Sequence, residues 1–527
     1  MSSAGSSHPS PDATTPWWKT AVAYQIYPRS FCDTTGSGVG DLAGIARHLD
    51  HLVLLGVDAI WLSPFFTSPM YDYGYDVADY CDVDPIFGDL AAFDRLVADS
   101  HERGLRVIID WVPNHTSIDH PWFVESRSST DNPKRDWYVW RDPAPDGGYP
   151  NNWIESLTFG PAWTLDETTG QYYLHCFLSE QPDLNWANPE VVAAMEDTLR
   201  FWLDRGVDGF RMDVVHLIGK DPALPDEPAE VAGLPHTVLN VRPETHEHLR
   251  ALRRLLDGYD GDRMAIGEIY LLDTKLVAEH YGDNDELHLC FNFPPLYARW
   301  NAASWRARVA ETESVLGPID AWPTWVLSNH DNPRHPTRYA TDLHLDEADT
   351  ERVARAAAVL LCTLRGTPFL YAGEELGLTD AVIPDERRRD PAGRDGCRAP
   401  IPWDPSPTHG WQSDDNWLPW PPHPTGRNAV DQIAEPDSIF HLYRRLLELR
   451  KSAPALQSGD VTLLEAPDGV LAYERSLDGS IVTVAINMTD DEVEWTIPGE
   501  TLISSLDSLD GAGRGALRPY EAVVVGQ

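Results

Sequence analysis

The chain has 527 residues, 42% hydrophobic and 24% charged, and its 83 Asp and Glu against 41 Lys and Arg leave a formal charge of −42. Nucleic acid and anionic membranes attract basic surfaces, so this balance excludes both as partners; with no long apolar run and no low-complexity tract, it also excludes a spanning helix and a disordered chain. A single core does not serve this length, and a large domain with at least one smaller one is expected.

Residues 1–15 are polar, without the basic start and apolar stretch of a secretory signal, so a disordered N-terminus and a cytoplasmic location are expected. Beyond them a unit recurs: an amphipathic helix, a glycine, then a short apolar run. Leu42, Ile45, Leu49, Leu52 and Leu55 precede Gly56 and the run 57–64, and Leu90, Phe93 and Val97 precede Gly104 and 107–112. Leu199, Trp202 and Leu203 precede Gly206 and 209–214, and Val353 to Leu364 precede Gly366 and 368–371. Glycine supplies a left-handed helix stop, and continuous apolar runs suit strands buried on both faces of a parallel sheet. With the runs 21–27, 264–269, 287–293 and 325–327 the strands number eight, the count of an α/β (β/α)8 TIM barrel.

The gap between the third and fourth strands is too long for one crossover. It predicts an inserted subdomain at 116–186, rich in Trp, Tyr and Pro, which divides the barrel into 16–115 and 187–452. A second excursion, about 376–430, follows the eighth strand. Both leave the C-terminal ends of strands, where barrels build their sites. After a helix near 439–449 the sequence alternates with period two, as in Val470, Ala472, Glu474 and 481–486, and predicts a C-terminal all-β domain at 453–527. The six cysteines show no metal or redox spacing and read as reduced thiols.

Three acids fall at strand ends: Asp213 after the fourth, Glu268 after the fifth and Asp331 after the seventh. Carboxylates at three strand ends of one barrel would converge on one pocket mouth. Arg211, two residues before Asp213, shares its side of the strand and would keep that carboxylate ionised. His115 and His330 would offer hydrogen bonds to a polar ligand. Any one of these alone reads as a helix cap or a satisfied buried histidine. Together they suggest glycoside cleavage by an ionised nucleophile and a protonated acid roughly 5 Å apart.

The segments carrying these residues, Asp110-Trp-Val-Pro-Asn-His115, Gly209-Phe-Arg-Met-Asp-Val-Val-His216, Gly267-Glu268 and Ser328-Asn-His-Asp331, resemble in order the four main motifs of glycoside hydrolase family 13, the α-amylase family, and its α-glucosidase and oligo-1,6-glucosidase group. The resemblance implies Asp213 as nucleophile, Glu268 as general acid and base, and Asp331 as the stabiliser gripping sugar hydroxyls. It further implies that Asp72 and Tyr75 hold the terminal glucose, with Arg398 joining Asp72 to close the blind end of the pocket. His115, Arg211 and His330 complete the implied substrate-binding set.

In this group a valine after the nucleophile, here Val214, tends to accompany α-1,6 activity, but one apolar side chain is worth only ~1–3 kcal/mol of discrimination, so the linkage stays open. The segment 33–41 resembles a loop that binds calcium or magnesium in relatives. Thr35 and Ser37 replace two of its ligands, so Asp33 and Asp41 would hold a metal weakly and no cofactor is required.

The reading is an exo-acting, retaining α-glucosidase on short α-glucosides of the maltose or isomaltose type, monomeric or homodimeric. The alternative is an α-glucosyltransferase or disaccharide isomerase of the trehalose or isomaltulose synthase kind, using the same glucosyl-enzyme. A non-catalytic relative that accompanies amino-acid transporters is disfavoured, because it would need a membrane helix and usually lacks the carboxylates.

Overall fold

A computed structural model describes residues 15–235, 238–506 and 515–527. The disordered segment expected at 1–15 lies, but for Thr15, outside the described residues. Eight parallel strands form the central sheet: β1 (Ala23–Ile26), β2 (Ala59–Leu62), β3 (Arg106–Trp111), β4 (Gly209–Met212), β5 (Met264–Gly267), β6 (Leu289–Cys290), β7 (Thr324–Val326) and β8 (Thr367–Tyr371). Their order is β6-β5-β4-β3-β2-β1-β8-β7, the circular order of a TIM barrel. Between β6 and β7 the join is made by side chains: the Thr324 hydroxyl donates to the Cys290 carbonyl at 2.7 Å and accepts from the Asn292 amide at 3.3 Å, and the Tyr281 hydroxyl accepts from the Cys290 amide at 3.1 Å and donates to the Trp322 carbonyl at 2.9 Å.

Period two sorts the strand residues into two cores. Ala23, Ala59, Trp61, Ile108, Met264, Ile266, Leu289, Val326 and Phe369 fill the barrel interior. Tyr24, Ile60, Leu62, Val107, Ile109, Phe210, Met212 and Ala265 face outward into a larger core shared with the helices. Continuing the inward positions to the strand ends gives Gln25, Asp110, Arg211, Asp213 and Glu268. The site is thus the last inward layer of the barrel, where polar groups replace the apolar filling.

The helices are set by their caps. Asp41, Asp89, Asn188 and Asp346 each accept a backbone N–H at a helix start. Gly56 and Gly206, at φ 100° and 95°, make the left-handed stops that feed β2 and β4. The periodicity over 42–55 suggests one helix, but the chain forms two, Leu42–Arg47 and Leu49–Leu55, broken at His48. There the imidazole stacks on Trp403 with ring centroids 3.6 Å apart.

The excursion after β3 carries a three-stranded antiparallel sheet, Trp140–Arg141, Gln171–Leu174 and Trp163–Asp166. Hydrogen bonds stitch the excursion to the loop after β4, one of them from the Asn152 amide to the Asp226 carboxylate at 3.0 Å. Arg141 donates to the Pro222 carbonyl, Asn151 to Leu224, Asn152 to Glu227 and Trp153 to Pro225, while the Glu227 amide donates to Asn152.

Beneath this wall the Lys220 ammonium reaches Asp183 at 3.0 Å, Asn114 at 2.6 Å and the Leu217 carbonyl at 2.5 Å. Those contacts join the end of the excursion to the loops after β3 and β4. Burial would raise the Asp183 carboxyl, but Lys220 and donors from Cys176 hold it below the usual range.

The C-terminal part, after helix Ile439–Ser452, is a five-stranded antiparallel sheet of Asp460–Leu463, Val470–Leu477, Ser480–Asn487, Ala522–Gly526 and Glu500–Ser504. One face, with Leu471, Tyr473, Val484 and Val524, continues the core of the barrel helices; the other, with Ala472, Ala485 and Val523, is covered by Ile497 and Leu517.

Candidate active site

Arg211 is the centre of the polar layer. Its guanidinium lies 2.5 Å from Asp213, 2.7 Å from Asp110 and 2.7 Å from Glu268, and all four side chains are at least nine-tenths buried. The sheet register imposes this arrangement, because Arg211 lies opposite Asp110 on β3 and opposite Ile266 on β5. Asp213 and Glu268 are fixed next to each other by their backbones, whose amides donate to Trp111 and Met212 at 2.8 Å each. Gly267 lets the Glu268 backbone settle there, since a Cβ on it would meet Leu287 at 2.4 Å.

Burial together with Glu268 and Asp110 raises Asp213 well above the ordinary carboxylate range against the pull of Arg211, the reverse of the ionised state expected from Arg211 alone. Asp110, fully buried below, is pushed up to about 7 by burial despite Arg211.

Asp331 is opposite. Burial would raise it, but His330, Arg394 and Arg398 outweigh burial and hold it below the usual range. Arg394 lies 3.0 Å and Arg398 3.1 Å from the same oxygen, and His330 lies 3.2 Å from the other. Burial pushes His330 down to about 3, so it is neutral near pH 7 and the arginines supply the lasting positive charge. Gln25 donates to His330 Nδ1 at 2.7 Å, which turns Nε2 toward Asp331 and the Tyr75 hydroxyl, 2.5 Å away.

Tyr75 stacks on His330, with rings 5.3 Å apart and 6° from parallel, and its hydroxyl donates to Asp110 at 3.1 Å. His115 packs on Phe177 and meets the Tyr75 carbonyl at 3.2 Å; burial lowers it to about 4. Gln181 bridges His115 to Asp72 at 3.1 and 3.2 Å. All nine residues expected at the site are therefore gathered at one end of the barrel.

One expected pairing is corrected. Asp72 is held not by Arg398 but by Arg394, at 2.6 Å. Arg394 and Arg398 stand four residues apart at the short turn Asp395–Arg398, and both contact Asp390 and Asp331. Arg398 instead turns its Nε to the His330 carbonyl at 2.7 Å. Arg394 thus spans Asp72 and Asp331 from the excursion after β8, while Arg398 fixes the backbone that carries Asp331.

Sequence reasoning also passed over Asp110, Gln25 and Gln181. The period-two rule that paired Arg211 with Asp213 would have found the first. It missed a rim as well: Tyr270, two residues beyond Glu268, and Tyr297 join hydroxyls at 2.7 Å, and Tyr297 donates to Asn332 at 3.0 Å. Both rings are nearly half exposed beside the Glu268 and Asp331 loops.

The 33–41 loop does not fit a resident divalent cation. Asp33 accepts from the amides of Thr35, Gly36, Gly38 and Ser413, and Asp41 caps a helix through Gly44 and binds Thr34. The amides lower Asp33 although burial would raise it. Carboxylates so engaged do not present the several oxygens a hard cation takes. Among the described residues no three His, Cys, Asp or Glu side chains gather as a metal group.

Residues 25–459 match the family described as "Alpha amylase, catalytic domain". A "Probable alpha-glucosidase" of Rhizobium meliloti (strain 1021) is 43% identical, the match covering 94% of this chain and 93% of that protein. An oligo-1,6-glucosidase of Heyndrickxia coagulans is 38% identical, over 97% and 99%. Among solved structures, an alpha-glucosyl transfer enzyme, XgtA, superposes with a TM-score of 0.90 at 41% identity, covering 97% of this chain and 100% of that one. The trehalulose synthase MutB from Pseudomonas mesoacidophila MX-45 does so at 0.88 and 35%, covering 97% and 99%. A catalytic-domain match over most of the chain, on a barrel whose strand ends carry the four motifs, makes this protein a member of the alpha-amylase family.

Proposed function

We propose that the protein is an exo-acting, retaining α-glucosidase that releases terminal α-glucose from short α-glucosides. The observation that carries the reading is the placement of Asp213 and Glu268 on the one Arg211 guanidinium, at 2.5 and 2.7 Å. Retaining glycosidases need two carboxyl groups ~5–5.5 Å apart, one ionised and one protonated. With a glucoside bound, Glu268 donates its carboxyl proton to the glycosidic oxygen while the Asp213 carboxylate attacks the anomeric carbon. The C–O bond to the leaving sugar breaks as the glucosyl–Asp213 ester forms. Water then delivers its proton to Glu268 and its oxygen to the anomeric carbon, and Asp213 leaves as a carboxylate facing the Arg211 guanidinium.

Asp331, ionised between two arginines, takes up sugar hydroxyls and the positive charge of the ring in the transition state. Tyr75 offers its ring to the terminal glucose. Arg394 and Asp72 close the pocket behind it, which favours chain-end release over internal cleavage. Residues 116–186 act as the subdomain that walls the pocket, 16–115 and 187–452 as the catalytic barrel and 453–527 as its C-terminal support. Six free cysteines suit a reducing, cytoplasmic setting.

The similarity to the alpha-glucosyl transfer enzyme and the trehalulose synthase favours a second outcome at the same site, in which a sugar hydroxyl replaces water. p-Nitrophenyl α-glucoside is expected to release chromophore and Asp213→Asn to abolish it; full activity in that variant removes the assignment. Product analysis at high maltose or sucrose separates hydrolysis from transfer.

A further inference from the structure

Arg29, just after β1, is 7% exposed, and among the described residues no carboxylate pairs with it. A buried cation without a counter-ion is costly, so its surroundings must use the guanidinium in another way. Among the described residues its one side-chain hydrogen-bond partner is the Met70 sulfur, 3.5 Å from Nη1. Two aromatic rings lie against it, Tyr73 at 5.0 Å and Trp417 at 4.8 Å from the guanidinium carbon, and the rings, 5.6 Å apart, also meet each other. Planar and weakly hydrated, a guanidinium suits such aromatic contact better than an ammonium does.

The partners are not a random sample of the neighbourhood. Met70 and Tyr73 are the two non-glycine residues of the 70–74 turn held at positive φ, 69° and 49°. Side chains rarely occupy that region without support. Between them stands Asp72, whose carboxylate meets Arg394 at 2.6 Å at the closed end of the pocket. From below, Asp76 accepts the amides of Tyr71 and Asp72 at 2.9 Å each. From above, Trp417 is anchored by its amide on Gly38 and its indole on Ser30. The turn that aims Asp72 is therefore gripped at both left-handed residues by one arginine.

We infer that Arg29 is a positioning residue: by clasping Met70 and Tyr73 against Trp417 it holds the 70–74 turn so that Asp72 meets Arg394 and a terminal sugar finds the pocket closed. This rests on the glycosidase reading above. Arg29 touches no reacting atom and acts through Asp72.

The test is a double-mutant cycle on maltose and p-nitrophenyl α-glucoside with Arg29→Met, Arg29→Lys, Trp417→Leu and Asp72→Asn. Arg29→Met is expected to raise KM about tenfold with kcat within about threefold, and Arg29→Lys to fall between it and wild type. Trp417→Leu should shift KM the same way by less. In the Asp72→Asn background Arg29→Met should add less than twofold, because the group it positions is gone. Wild-type KM in both Arg29 variants, or full additivity with Asp72→Asn, overturns the inference. A crystal structure of Arg29→Lys or Trp417→Leu reads the Asp72 to Arg394 distance without turnover. If wild-type enzyme leaves the glucosides intact, the glycosidase reading falls, while an unmoved Asp72 in both variants sinks this one alone.

Discussion

At the scale of residues, the site is an exercise in sharing few cations among many carboxylates. Arg211 serves Asp110, Asp213 and Glu268, and Arg394 serves Asp72, Asp331 and Asp390. Removing a cation therefore changes several acids at once. Arg394→Met should lower kcat/KM for maltose about a hundredfold, ~2.7 kcal/mol, the size of a lost charged hydrogen bond in a buried site. It should also raise the acidic limb of the pH–rate profile, because Asp331 loses part of what keeps it ionised. A loss under threefold would mean that Asp72 and Arg394 do not wall the pocket. The resemblance pointed to Arg398 as the partner of Asp72 at the closed end, and the structure puts Arg394 there instead. Both side chains have the same charge and reach, and only the path of the turn separates them.

At the scale of elements, the strands were legible because runs such as Val107, Ile108 and Ile109 are apolar on both faces, and the glycine stops because left-handed backbone restricts the residue choice. The break at His48 was not, since it depends on Trp403, more than three hundred residues away. The same holds for the bonds between 141–153 and 222–227, which are made mostly to backbone carbonyls and leave no trace in composition. Lys220 locks this wall to the barrel from beneath. Lys220→Met leaves Asp183 buried without a cation, and the expected cost is about 3–5 kcal/mol in urea unfolding monitored by tryptophan fluorescence. The double variant Lys220→Met with Asp183→Asn should recover part of it; no recovery would show that the lysine acts by packing alone.

At the scale of the whole molecule, a formal charge of −42 acts against compactness, since like charges repel across the surface. The Debye length falls from roughly 10 Å at 0.1 M salt to roughly 3 Å at 1 M, so added sodium chloride should raise the thermal midpoint by a few degrees. A midpoint that falls over that range would indicate that surface ion pairs outweigh the repulsion. The join between β6 and β7 bears on motion at this scale. Seven of the eight seams between neighbouring staves are riveted by backbone ladders, while the eighth is bridged by the hydroxyls of Thr324 and Tyr281. A cylinder fastened in this way yields first along its weakest line, and that line separates the stave bearing Asp331 from the one next to Glu268. Opening along that line would spread Asp331 from Glu268 while leaving Asp213 and Glu268 together on the Arg211 guanidinium.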